Sequence, residues 1–168
     1  MSSKQRMFAR ISTVFDCTEE AFWEAISKPA SLQFVASPVL SFRELVKGEL
    51  GGEWVIGKTY SLKLYFLNIV PLGLHRIKLV TMDRKSKTIV SCESGFLSPV
   101  WNHTIRFRQI GKNKLRYTDE IEIGAGWLTV AIWAFAHLFY RHRQRRWRIL
   151  LKNPVVCQNS AEGKRTEF

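Results

Sequence analysis

Cysteine is scarce in this chain of 168 residues, and the three present, Cys17, Cys92 and Cys157, show no CxxC or Cys/His spacing. An odd, scattered set argues against a disulfide framework and against a thiolate zinc site. Acidic residues are also few: 14 Asp and Glu stand against 26 Lys and Arg, for a net charge of +12. No internal repeat and no low-complexity stretch is visible, which sets aside solenoids and arrays. The N-terminal stretch MSSKQRMFARISTVF lacks the apolar run of roughly 7–15 residues that a secretory signal needs, so a reducing cytoplasm is the expected setting. The one glycine-rich loop, Gly48-Glu49-Leu50-Gly51-Gly52, fits no phosphate-binding pattern and has no cation placed for a phosphate. It reads as a hairpin or cavity-mouth loop.

What is present is ordinary in bulk and unusual in one place. Hydrophobic residues make up 46% and charged residues 24%, and the length suits one domain with a sizeable core. Six Trp and 11 Phe suit either a large core or an apolar cavity. The unusual segment is Trp127–Lys152, WLTVAIWAFAHLFYRHRQRRWRILLK. Its first half is apolar and aromatic. Its second half carries Arg141, Arg143, Arg145, Arg146, Arg148 and Lys152. It reads as one helix of about seven turns.

The rest of the chain predicts a strand over Met7–Phe15, a short helix started by Asp16 or Thr18, and a second short helix from Ala30 to Val35 behind Pro29. Strands then follow at Ser41–Lys47, Lys58–Leu67, Leu74–Asp83, Thr88–Glu93, Val100–Gln109 and Leu115–Ile123, parted by Gly, Pro, Asn and Ser signals that include Pro71-Leu72-Gly73. Short connections imply that neighbouring strands pair. The economical architecture is α+β: one curved antiparallel sheet of about 6–7 strands around one long C-terminal helix, with two short helices after strand 1. Residues 1–152 are expected to form this single domain, and 153–168 a flexible tail.

The hairpin Val100–Ile123 carries the chemistry. A three-residue loop at Gly111-Lys112-Asn113 predicts Phe107 opposite Leu115, Ile105 opposite Tyr117, His103 opposite Asp119 and Trp101 opposite Ile121. These share one parity and form the buried face, whereas the other parity carries Arg106, Arg108, Arg116, Glu120 and Glu122. A carboxylate beside an imidazole stabilises the imidazolium and orients one tautomer, so His103 and Asp119 are an acid/base pair, a polar anchor at a cavity floor, or a satisfied core pair reached by an arginine from the long helix such as Arg143 or Arg146. Ser94 and Ser98 have no nucleophile elbow around them.

On the long helix, Leu128, Ile132, Phe135, Phe139 and Arg146 fall on one stripe, the face expected on the sheet. Arg141, Arg145, Arg148 and Lys152 form a second stripe, an exposed basic ridge that pairs with Glu120 or Glu122 or meets an anionic partner. A membrane span is disfavoured, because the preceding strand takes up the first residues of the apolar run.

Three short motifs in this order carry a resemblance: Trp101-Asn102-His103, Tyr117-Thr118-Asp119-Glu120 and Tyr140-Arg141-His142-Arg143-Gln144. With the order of elements, they resemble the helix-grip fold of the START/Bet v1-like (polyketide cyclase/dehydrase-like) superfamily over roughly Arg6 to Lys152. The resemblance implies a cavity between sheet and helix for a small hydrophobic or aromatic, lipid- or polyketide-like ligand. The lining expected on that basis is Trp54, Tyr65, His75, Trp101, His103 and Ile105 from one side, and Tyr117, Ile132, Phe135 and Phe139 from the other. Tyr60 and Phe66 belong to the same strands. Three functions stay open. The leading one is ligand binding, with no cofactor, metal or nucleic acid expected. The alternatives are an acid/base enzyme of cyclase or dehydratase type using His103 and Asp119, and a peripheral module that meets an anionic membrane or nucleic acid through the basic ridge. Fold alone does not choose among them.

Overall fold

The computed structural model describes residues 6–153. The expected tail therefore lies outside the described residues from position 154 onward. Seven strands form one antiparallel sheet in the order β1-β7-β6-β5-β4-β3-β2. They are β1 (Met7–Phe15), β2 (Leu40–Glu44), β3 (Thr59–Phe66), β4 (Val70–Asp83), β5 (Thr88–Gly95), β6 (Val100–Gly111) and β7 (Lys114–Gly124). Helices α1 (Glu19–Ile26) and α2 (Pro29–Ala36) follow β1, and α3 (Thr129–Lys152) closes the fold after a single 3-10 turn.

Local chemistry accounts for these limits. The Thr18 hydroxyl accepts the Ala21 amide and caps α1, with Glu19 and Glu20 in the first turn favouring its positive end. Pro29 at the start of α2 presets a helical φ where no N–H is needed. Strand β2 is shorter than expected because the Glu44 carboxylate turns away to accept the amides of Gly48 and Leu50. This pins the glycine-rich loop and buries Leu50 in the core.

The expected turn at Pro71-Leu72-Gly73 lies inside β4, and the chain reverses instead at Leu67 and Asn68, both with positive φ. Two consecutive left-handed residues suit a tight hairpin. Pro71 is accommodated because the pairing of β3 with β4 slips between Leu64 and Tyr65 beside it. A second slip sits between Leu79 and Thr81 on β4. Such irregularities bend strands, here around the helix.

The β6–β7 hairpin differs from expectation by two residues. Phe107 pairs with Tyr117, Ile105 with Asp119, His103 with Ile121 and Trp101 with Ile123, after a slip between Gln109 and Gly111. The loop is tighter than expected, since Gly111 pairs directly with Lys114. A two-residue shift preserves parity, so the expected residues still face inward.

The concave face carries Ala9, Ile11, Phe15, Leu40, Phe42, Tyr60, Leu62, Ile77, Leu79, Ile89, Ile105, Phe107, Ile121 and Ile123, all buried. Helix α3 lays Ala136, Phe139, Tyr140, Arg143, Gln144, Trp147 and Leu150 on it. This stripe is rotated from the expected one. Arg146 packs on α2, where its Nε donates to the Phe34 carbonyl and its guanidinium covers the Phe34 ring at 4.0 Å. Among the described residues no helix is long and apolar enough to cross a membrane.

Candidate functional site

Sheet and helix do not meet everywhere. Between them lies a cavity of about 170 Å³. Ile77, Leu79, Ile89 and Ile105 supply the sheet side, Ile132, Phe135 and Phe139 the helix side, and Leu32, Leu40, Phe42, Trp54 and Leu64 the flank. Leu72, Leu74, Phe96 and Leu97 also border it, and Phe96 is 82% exposed, which puts the rim at the β3–β4 and β5–β6 ends. An apolar cavity of about 150 Å³ already admits a benzene-sized molecule.

The polar groups gather at one end. Glu93 accepts from the Ser91 hydroxyl at 2.7 Å and meets His75 Nε2 at 3.0 Å. The His75 ring lies against bare backbone: a Cβ on Gly95 would stand 3.0 Å from its Nδ1. Burial pushes the Glu93 carboxyl up. The hydrogen bond and charge of His75, the charge of His103 and the Ser91 hydroxyl outweigh this and hold it below the usual carboxylate value.

His103 lies beside this group. Its Nε2 is 2.8 Å from Asp119 Oδ1, and its Nδ1 is 3.9 Å from Glu93 Oε1. Asp119 is fully buried and accepts two further bonds, from the Tyr117 hydroxyl at 2.6 Å and the Gln144 amide at 3.0 Å. The helix residue that reaches Asp119 is thus Gln144, neither Arg143 nor Arg146. Gln144 also bonds the Ile11 carbonyl, tying α3 to β1. Arg143 instead borders the cavity, its guanidinium 4.9 Å from the Tyr140 ring. Burial acts to lower the Arg143 pKa, but Tyr140, Tyr117, Asp119 and Glu93 raise it overall, so the guanidinium stays charged. Burial chiefly raises the Tyr140 phenol, which stays protonated.

Of the residues singled out from the sequence, Trp54, His75, Trp101, His103, Ile105, Ile132, Phe135 and Phe139 border the cavity. Two do not. Tyr65 lies beyond the β3 slip, on the outer side, under the Arg43 guanidinium at 4.1 Å. Tyr117 faces inward but belongs to the solid end of the core, against Phe15 and Phe22. Asp119 does not border the cavity either, and reaches it only through His103.

Arg141, Arg145, Arg148 and Lys152 are exposed, and Arg148 bonds the Thr13 hydroxyl. Their expected partners are engaged elsewhere, Glu120 by Arg10 and Arg106 and Glu122 by Arg6 and Asn102. The sequence reading missed Glu93 and Ser91 as cavity residues. Their only signal was parity with Ile89, in a strand whose other parity (Thr88, Val90, Cys92) is no more polar. Among the described residues no group of three or more His, Cys, Asp or Glu is arranged to hold a metal ion.

A seven-stranded antiparallel sheet curved around one long C-terminal helix, with two short helices after the first strand, recurs in solved structures. Protein CV1439 from Chromobacterium violaceum aligns with a TM-score of 0.66 at 11% identity, over 86% of this chain and 96% of that one. A START superfamily protein from Mycobacterium smegmatis aligns with a TM-score of 0.65 at 9% identity, over 86% and 97%. The chain has the START/Bet v1-like helix-grip fold. Norcoclaurine synthase from Thalictrum flavum, in complex with dopamine and hydroxybenzaldehyde, aligns with a TM-score of 0.62 at 13% identity, over 92% and 88%. At these identities the likeness to helix-grip proteins is one of fold. The sequence matches no protein-family profile and no curated protein.

Proposed function

We propose that this chain binds a small hydrophobic or aromatic molecule, of single-ring or short-chain size, between its sheet and α3. The observation that carries the reading is the cavity of about 170 Å³, apolar over most of its lining and polar at one end. Such a site suits binding, because apolar walls supply affinity and a few placed polar groups supply orientation. That norcoclaurine synthase, with the same fold, is found with two small aromatic molecules supports the size class. A cytoplasmic setting fits the free Cys17 and Cys92.

Trp54, Trp101 and Trp147 border the cavity, so tryptophan fluorescence reports on occupancy. The expected outcome is saturable quenching by neutral single-ring compounds such as 4-cresol, and co-purification of a small molecule visible by native mass spectrometry. Absence of both sinks the reading.

A second reading, acid/base catalysis, is favoured by one detail. His103 borders the cavity while Asp119 holds its Nε2. In the neutral ring that bond makes Nε2 the donor and leaves Nδ1 as a base. His103 would then be the catalytic group and Asp119 a positioning residue. If His103→Gln binds ligand as wild type does and no turnover of a bound carbonyl compound distinguishes the two proteins, catalysis is rejected and binding stands.

A further inference from the structure

Two buried donors on one stripe of α3 border the cavity without a hydrogen-bond partner. Arg143 is 6% exposed and Trp147 1%. Neither Arg143 Nε nor Trp147 Nε1 has a partner among the described residues. The two are one helical turn apart, and Tyr140 lies almost a turn before Arg143 on the same side. The Tyr140 hydroxyl accepts from Trp101 Nε1 at 3.2 Å, which leaves its own proton to give. All three side chains line the cavity.

The direct polar contacts at this end leave Arg143 out, although the Asp119 and Glu93 charges favour its charged form from a distance. Glu93 is engaged by His75 and Ser91, and Asp119 by His103, Tyr117 and Gln144. Arg143 is left with the Tyr140 and Phe139 rings, at 4.9 and 5.9 Å, and forms no ion pair with a described residue. A ring face offsets only part of the cost of taking a guanidinium out of water. A buried cation with free N–H groups beside an apolar cavity is matched by an anionic acceptor joined to an apolar body.

We propose that the ligand is a small monocarboxylic acid with an aromatic or short aliphatic body. Its carboxylate is received by Arg143, with Tyr140 and Trp147 as flanking donors, and its body lies among Ile77, Leu79 and Ile89. This rests on the binding reading above. A carboxylate suits the planar guanidinium fork, which it meets through two oxygens. The Arg143 guanidinium has no direct acceptor among the described residues, so one carboxylate would take up its free N–H groups. A phosphate dianion would leave a charge uncompensated near Glu93 and Asp119. The cavity volume of about 170 Å³ limits the body to about one ring.

The test compares phenylacetate with phenylacetamide, which keeps the shape and removes the charge, by tryptophan quenching on the full chain at low and high salt. The expected result is that the acid binds about tenfold or more tightly than the amide. This preference persists at high salt, because a buried pair is poorly screened. In Arg143→Met it disappears while amide binding remains, and Arg143→Lys keeps part of it. Equal binding of acid and amide by the wild type overturns the proposal and leaves the cavity reading standing. Survival of the preference in Arg143→Met also overturns it, as does its loss at high salt, which would assign the acid to the exposed arginines. If neither probe binds while 4-cresol does, this proposal falls and the cavity reading stands; if 4-cresol also fails and no small molecule co-purifies, both fall. The wild-type comparison decides the matter even if both variants misfold.

Discussion

Asp119 has no exposed surface and three hydrogen-bond donors around it, so its worth is set by what its removal strands. Asp119→Ala leaves His103, Tyr117 and Gln144 without their common acceptor. The expected loss is about 3–5 kcal/mol by urea unfolding, and Asp119→Asn, which keeps the shape and one acceptor oxygen, loses less. Glu93 makes a prediction of opposite readout. Its folded pKa lies below the ordinary 4.5, so its contribution to stability is present above about that pH and is lost as pH falls through the folded value. Unfolding measured between about pH 6 and pH 3 should decline less steeply in Glu93→Gln than in wild type; parallel curves would mean the carboxylate is not held by its neighbours. The inward facing of His103 and Asp119 was legible because parity survives a two-residue register error. The contact between them then closes on the diagonal. The helix partner of Asp119 was not legible. Charge matching suggested an arginine, but Gln144, a neutral donor adjacent in sequence to Arg143, has the right azimuth on α3.

At the scale of elements, strand existence was readable from alternation, and strand ends were not. β1 and the C-terminal end of α3 follow their sequence signals, whereas α3 starts two residues later than expected, because Gly126–Leu128 form a 3-10 turn. The β3–β4 turn escaped because Leu67 adopts a left-handed conformation that its side chain does not favour, while the more evident Pro71-Gly73 signal lies within a strand. The β4–β5 ladder also holds a packing condition no local pattern reveals. Gly95 pairs with His75 and leaves room for its ring. Gly95→Ala places a methyl 3.0 Å from His75 Nδ1, so the ring must give by a few tenths of an ångström, which strains its contact with Glu93. The expected cost is about 1–2 kcal/mol in thermal unfolding, together with a changed chemical shift of His75. A substitution as mild in stability as an exposed Gly→Ala change, with His75 unmoved, would show that the strand yields instead.

For the whole molecule, the central fact is an uneven core. At the end near α1, Phe15, Phe22, Phe107, Tyr117 and Trp147 pack ring against ring and fill the space between sheet and helix. At the other end the same two surfaces stand apart and leave the cavity. Closely packed interiors resist added volume, and an extra methylene or ring usually costs about 1–3 kcal/mol. A cavity reverses that sign, because new atoms replace empty space and gain contacts. The same enlarging change should therefore have opposite effects at the two ends. Ile77→Phe, on the cavity side of β4, is expected to leave stability unchanged or raise it by about 1 kcal/mol and to abolish quenching by 4-cresol. Leu115→Phe, in the filled end where Leu115 is 0% exposed, is expected to lose about 1–3 kcal/mol and to leave ligand binding intact if the protein remains folded. Urea unfolding and fluorescence titration on the two variants read both quantities. Equal destabilisation by both would mean that the cavity is closed in solution, with sheet and helix in contact along their whole length.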